Sequence, residues 1–193
     1  MKEYSEKEIR ILDTAAELFA SNPFHKVLLS DVARIASVGK GTVYLYFKNK
    51  DDLYLAVLFR GFSTLVDRLR KTVAQETMSP EEQISEIVQE IVHHLFAKAT
   101  NVELMGAVVT CPKPDEWQEM RVELWQLIES VIQRGVSQGV FKDGNPRLTA
   151  QFITGMIRSA GLFTPTGETE ATICRHACDF IMKALKKDTA TLT

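Results

Sequence analysis

The chain has 193 residues, 45% of them hydrophobic, enough for a real core in one compact unit or in a small domain joined to a larger one. Its net charge is -2, and three cysteines, an odd number, argue against a disulfide framework and fit a reducing compartment. No run of about 18 apolar residues occurs and charges recur through the N-terminal stretch, so neither a membrane span nor a signal peptide is expected, and the expected location is the cytoplasm.

Residues 5–21 predict a first helix, with Ser5 and Glu8 as a capping box and Ile9, Leu12, Ala16 and Phe19 as its inner face; Asn22-Pro23 ends it. Residues 30–36 predict a short second helix that turns Val32, Ala33, Ile35 and Ala36 inward and leaves Asp31 and Arg34 wet. Ser37-Val38-Gly39 breaks it. Gly39 is expected to supply the backbone freedom for a sharp reversal, and Val38 an apolar wedge between two helices. A third helix over 40–47 places Val43 and Phe47 on one face, Thr42 and Tyr46 on the next, and Gly41 and Leu45 roughly opposite Val43. A helix so short is stable only if it packs by one side, so Leu45 is left outside.

An outward leucine flanked by Thr42 and Tyr46 suits a DNA major groove, where the thymine methyl accepts apolar contact while hydroxyls and Lys40 reach base edges or phosphates. Charge agrees. From Val32 to Lys50 the charged residues are Arg34, Lys40, Lys48 and Lys50, with no acid, and the first 50 residues hold 8 Lys and Arg against 6 Asp and Glu, whereas the remainder holds 15 against 19.

The string Val38-x-Lys40-Gly41-Thr42-Val43-Tyr44-x-Tyr46-Phe47-x-x-Lys50-x-x-Leu53 resembles the helix-turn-helix domain of TetR-family transcriptional repressors, in its place near the N-terminus and in its continuation into a long helix. The resemblance covers about the first 55 residues closely and the rest by helical architecture. It implies a recognition helix carrying Lys40, Gly41, Thr42, Tyr44 and Tyr46, with Lys50 holding a phosphate at the start of the next helix. With Ser30, Arg34, Leu45 and Lys48 these make the candidate DNA contacts. Two departures stand out. The family usually has Gly where Ser37 stands and Ser or a similar residue where Gly39 stands, and it commonly opens the second helix with Thr near position 28, where this chain reads Val27-Leu28-Leu29.

Asn49 caps a long helix expected to run to about Gln75, with Leu58, Phe62, Leu65, Leu69 and Val73 on one stripe, Leu55, Phe59 and Val66 on another, and Gly61 in its middle. Ser79-Pro80-Glu81-Glu82 is a second capping box, followed by Ile84, Ile87, Val88, Ile91, Val92, Leu95 and Phe96. A shorter apolar segment spans 102–109, a proline-rich loop 111–114, and a long helix 115–138. Asn145-Pro146 opens the next helix, and a last one runs over 168–185. The expectation is an all-α chain of about nine helices, with a DNA-binding domain over 1–50 and a helical regulatory and dimerisation domain over 51–193.

A reader of this kind binds half-sites about 34 to 36 Å apart, so one such domain per chain implies a homodimer on a palindromic operator. The expected interface is Phe152, Gly155, Met156 and Ser159 against Ile173, Ala177 and Ile181 in a four-helix arrangement. Large apolar side chains, Phe59, Phe62, Phe96, Met105, Trp117, Met120, Leu124, Trp125, Phe152 and Met156, are the candidate lining of an effector site; helical spacing alone equally makes them core. The resemblance to the family implies an inducer, mainly hydrophobic, and fatty-acid-responsive members share a YLYFKNK-type string, pointing to a fatty acyl-CoA.

Cys174 and Cys178 share a helix face, but a metal needs more ligands and none is expected, nor a cofactor. Without a Gly-rich phosphate loop or nucleophile elbow the chain is not expected to be an enzyme. The reading is a ligand-released repressor. A helical protein-interaction module is the alternative, and it leaves the basic run from Lys40 to Lys50 unexplained.

Overall fold

The structure, a computed structural model, describes residues 4–97, 114–164 and 166–186. Among them lie eight α-helices: α1 (Glu6–Ser21), α2 (Leu29–Ile35), α3 (Lys40–Tyr46), α4 (Lys50–Val73), α5 (Pro80–Ala97), α6 (Pro114–Ser137), α7 (Pro146–Leu162) and α8 (Glu170–Leu185), with a 3-10 turn at Phe24–Lys26. The chain is all-α, its one β pairing among the described residues being an isolated bridge between Phe141 and Lys186. The expected segment 102–109, Met105 and Cys111 lie outside the described residues.

Two compact units part at Phe62 and Ser63, inside α4, rather than at Lys50, because Leu53, Tyr54 and Val57 are buried with the first core. In that core α1 contributes Ile11, Leu12, Ala15 and Phe19. Leu12 and Phe19 are buried as expected, but Ile9 is more than a third exposed and Ala16 half-buried, because Ile11 and Ala15, on the i, i+4 row with Phe19, fill the inner side instead. In α2 the row through Leu29, Val32, Ala33 and Ala36 faces in, which leaves Ile35, about 100° away, 47% exposed. Phe19 packs its ring against Phe24 and Tyr54, at centroid distances of 5.6 and 4.9 Å. Asn49 Oδ1 accepts from the Asp52 amide at 2.8 Å and opens α4 as expected.

The second unit is built on α5, which packs against both α7 and α8. Its start is a complete capping box: Glu82 N–H donates to Ser79 Oγ at 3.2 Å, and Ser79 N–H donates to Glu82 Oε2 at 2.8 Å. The backbone and hydroxyl hydrogen bonds from Ser79 hold the Glu82 carboxyl below the usual carboxylate range, so this contribution is present above the ordinary Glu pKa and lost as pH falls through the lowered value. One turn on, Gln83 is 99% removed from solvent. Its Nε2 donates to the carbonyls of Thr72 (2.8 Å), Val73 (3.2 Å) and Gln75 (3.0 Å), at the end of α4 and just beyond it, where the helical hydrogen-bond ladder gives out. Its Oε1 accepts from Arg134 Nη2 at 2.8 Å, which also reaches the Met78 carbonyl at 2.8 Å. One buried amide therefore ties α4, α5 and α6 together.

At the far end of α6, Gly135 lies under the ring of buried Phe141: a Cβ there would stand 2.1 Å from Phe141 Cδ2. The strand-like stretch after it returns to α8, with Lys142 N–H donating to the Leu185 carbonyl at 2.7 Å. Cys174 and Cys178 are both half-buried on α8. Burial, and then the neighbouring Cys174, push the Cys178 thiol up to about 11, so it is protonated near neutral pH and a poor metal ligand. Among the described residues no cluster of three His, Cys, Asp or Glu is placed to hold a metal, and no helix is long and apolar enough to cross a membrane.

Replacing Gln83 by Ala removes a buried amide that donates to three carbonyls and accepts from Arg134, which lowers the unfolding free energy by about 1 to 3 kcal/mol in urea titration. A change within about 0.5 kcal/mol contradicts that role. Gly135→Ala, in the same assay, lowers stability by about 1 to 3 kcal/mol through overpacking against Phe141.

Candidate nucleic-acid interface

Helix α3 has seven residues and enters the core through Val43, fully buried, and Phe47 just beyond its end, 4% exposed, with Tyr46 packing half-buried beside them. Everything else on it faces outward or sideways. Leu45 is 79% exposed, Tyr44 48%, Lys40 and Gly41 are exposed, and Thr42 is half-buried. A Cβ on Gly41 would meet nothing within 4 Å, so this side of the helix is bare and open to close approach. Lys48 and Arg34 are exposed, the latter 3.5 Å from Asp31 on its own helix.

The turn before α3 shows what the departure from the family pattern does. The residue in the left-handed region is Ser37, at φ 53°, while Gly39 sits at φ -64°, ψ 144°, a conformation open to any residue. Ser37 N–H donates to the Arg34 carbonyl at 3.2 Å and Val38 N–H to the Ala33 carbonyl at 3.0 Å, the paired bonds of a Schellman ending. The expectation that Gly39 supplies the backbone freedom is thus corrected, since the αL position falls at the residue after the α2 C-cap. Ser therefore stands under strain at a position where Gly would be at ease. Val38 packs half-buried against the first core, as its wedge role requires. Gly39 is the N-cap of α3 and has no side chain to offer. Leu28 is likewise the N-cap of α2 without a side-chain hydrogen bond, which settles the missing Thr: no residue caps that helix by its side chain.

Ser30, Lys40, Tyr44 and Lys50 come together around a cleft of about 310 Å³ floored by Val27 and Leu29. Two ammonium groups and two hydroxyls around one opening form a set suited to a phosphate oxygen. Lys50 is not wholly free for that purpose. Its Nζ donates to the carbonyls of Phe24 at 2.8 Å and His25 at 3.4 Å and stands 4.4 Å over the Phe24 ring, which fixes the 3-10 turn. Tyr46 also works within the fold: it packs half-buried against the core, and its hydroxyl is 2.8 Å from Ser5 Oγ, the cap of α1. Sequence spacing gave no signal for that bond, which joins residues 41 positions apart.

The candidate interface residues on α7 and α8 divide. Phe152, Gly155 and Ser159 are exposed and Met156 and Ile173 half-buried, but Ala177 and Ile181 are 8% and 3% exposed, so these two belong to the core of the chain itself. The reason is periodicity: Ala177, Ile181 and Leu185 form the i, i+4 ridge that α8 turns inward, which brings Phe180, 56% exposed, to the outside. Of the candidate effector residues, Phe59 and Phe62 fall in the first unit and Phe96, Trp117, Met120, Leu124 and Trp125 in the second. Leu124 is buried, Phe152 stands outside at 65% exposed, and the other described ones are half-buried. Trp125 Nε1 donates to Thr154 Oγ1 at 3.0 Å.

A family profile described as bacterial regulatory proteins, tetR family, matches residues 11–57, and one described as tetracyclin repressor-like, C-terminal domain, matches residues 77–185. The chain is 26% identical over 170 residues to the fatty acid metabolism regulator protein of Bacillus subtilis, covering 81% of this chain and 82% of that protein. Its fold is similar to that of the transcriptional regulator FadR from Bacillus subtilis solved in complex with stearoyl-CoA, at a TM-score of 0.70, 20% identity, and coverage of 91% and 98% of the two chains. It is similar also to the reduced form of Escherichia coli NemR, at a TM-score of 0.77, 17% identity, and coverage of 96% and 100%.

Ser37→Gly relieves the left-handed strain and raises stability by about 1 kcal/mol, and Gly39→Ser adds a few tenths by capping α3, both read as increases in melting temperature. A Ser37→Gly variant that melts lower than the parent contradicts the strain assigned to that turn.

Proposed function

We propose that this chain, which belongs to the TetR family of bacterial DNA-binding transcriptional regulators, acts as a homodimeric repressor released from a palindromic operator by a long-chain fatty acyl-CoA. The observation that carries the DNA-binding part is the division of α3, with Val43 fully buried and Leu45 79% exposed between basic residues. A membership in this family makes the chain a regulator and not an enzyme.

The dimer reading is supported by the outer faces of α7 and α8. Phe152, Phe163 and Phe180 are 65%, 71% and 56% exposed, and Met156, Ile157, Ile173 and Phe180 line a groove of about 480 Å³. Apolar surface of this kind is unusual on a solitary chain, and a symmetric mate covers it. The proposed interface is Phe152, Gly155, Met156, Ser159 and Ile173, with Phe180 added. The effector reading is supported by the similarity to the Bacillus subtilis regulator whose structure carries stearoyl-CoA. Phe96, Trp117, Met120 and Trp125, all of the second unit, are the proposed apolar contacts. In this mechanism the effector favours a conformer in which α4 has moved, so the two α3 helices of the dimer no longer match both half-sites.

Fluorescence anisotropy with palindromic DNA taken from beside the gene tests the reading. Binding is expected to be sequence-selective and to weaken steeply with salt, and saturating stearoyl-CoA lowers DNA affinity by about 5- to 150-fold. DNA affinity unmoved by stearoyl-CoA overturns the effector, and salt-insensitive, unselective binding overturns the operator reading. For the dimer, the double variant Phe152→Glu, Phe180→Glu sediments as a monomer with unchanged helix content and loses operator binding; a variant that stays dimeric contradicts the interface.

A further inference from the structure

We propose that Leu45 selects thymine at one position of each half-site by packing on the 5-methyl group of the base. This rests on the DNA-binding reading above and narrows it to one base and one atom.

The argument is by the chemistry that α3 offers. Its sequence, Lys40 to Tyr46, contains no Arg, Asn, Gln, Asp or Glu. It therefore lacks the bidentate donors for guanine that Arg supplies, the amide that pairs with adenine, and the carboxylate that accepts from cytosine N4. The polar groups it does carry are largely committed. Lys40 and Tyr44 border the cleft with Ser30 and Lys50 that suits a backbone phosphate, and the Tyr46 hydroxyl is held by Ser5 Oγ at 2.8 Å. Thr42 is half-buried, and a hydroxyl that both donates and accepts singles out no one base. Leu45 is the exposed large side chain on α3 with neither task, and at 79% it is the most exposed of the large hydrophobic residues among the described part of the chain. On the same side, Gly41 presents no side chain, and a Cβ there would meet nothing within 4 Å, so the helix can come close enough for a leucine to reach a base. A leucine has no donor or acceptor. The apolar feature of the major-groove edge of base pairs is the thymine methyl, so contact there rewards T and no other base.

The test selects duplexes from a random-sequence pool with the full chain and with Leu45→Ala, then replaces thymine by deoxyuridine, which lacks only the methyl. The full chain is expected to enrich a symmetric motif with thymine at one position per half-site. Loss of one buried methyl weakens binding about fourfold, and deoxyuridine at both half-sites about fifteenfold. Leu45→Ala is expected to enrich the same motif without that thymine and to ignore the deoxyuridine exchange, while melting like the parent, because the side chain it removes lies outside the core. An enriched motif indifferent to deoxyuridine, or a Leu45→Ala variant that keeps the thymine, overturns this inference and leaves DNA reading intact. A pool in which nothing is enriched overturns the DNA-binding reading, and this inference falls with it.

Discussion

The burial of Val43 and Phe47 is the constraint on which the rest depends. A helix of seven residues does not hold itself together in water, so α3 exists because those two side chains are anchored in the core made by α1, α2 and the first turns of α4. Anchoring one face at 3.6 residues per turn presents the opposite face, and Leu45 is there by geometry. The chemistry that can meet DNA is thus a by-product of how the smallest helix of the chain secures itself.

Around that anchor, several groups serve the fold before they serve any partner. Lys50 closes the carbonyls of the 3-10 turn, Tyr46 bonds the cap of α1, and Ser37 accepts an unfavourable backbone angle to end α2. Each sets the position of α3, so substitutions at these sites act on orientation as well as on contact. The second unit depends on a different device, the Gln83 amide, which donates to the carbonyls at the end of α4 and draws Arg134 of α6 onto the same point. Helix α4 carries residues of both units, and its two ends are pinned by unlike means, a side-chain cap at Asn49 and a buried amide at Gln83.

Much of this was legible in the amino-acid order, and what was not has physical causes. Caps were plain, because Ser79 with Glu82 and Asn145 before Pro146 are local signals read within four residues. The outward place of Leu45 followed from Val43 and Phe47 by periodicity alone. Periodicity failed where apolar residues outnumbered the space inside: Ile9 and Ile35 are as hydrophobic as the residues that won, and neighbouring helices, not the helix itself, chose between rows. The same held for α8, where Ala177 and Ile181 point in and Phe180 out. The Gln83 knot and the Ser5 to Tyr46 bond join residues far apart in sequence or reach backbone carbonyls, and neither leaves a mark on composition or spacing.

Methyl-labelled NMR of the chain with and without operator duplex bears most directly on the central claim. The account predicts contacts between the Leu45 methyl groups and DNA protons, with the Val43 methyl groups showing none because they are enclosed in the core. Leu45 methyl groups that show no DNA contact in a saturated complex would contradict it.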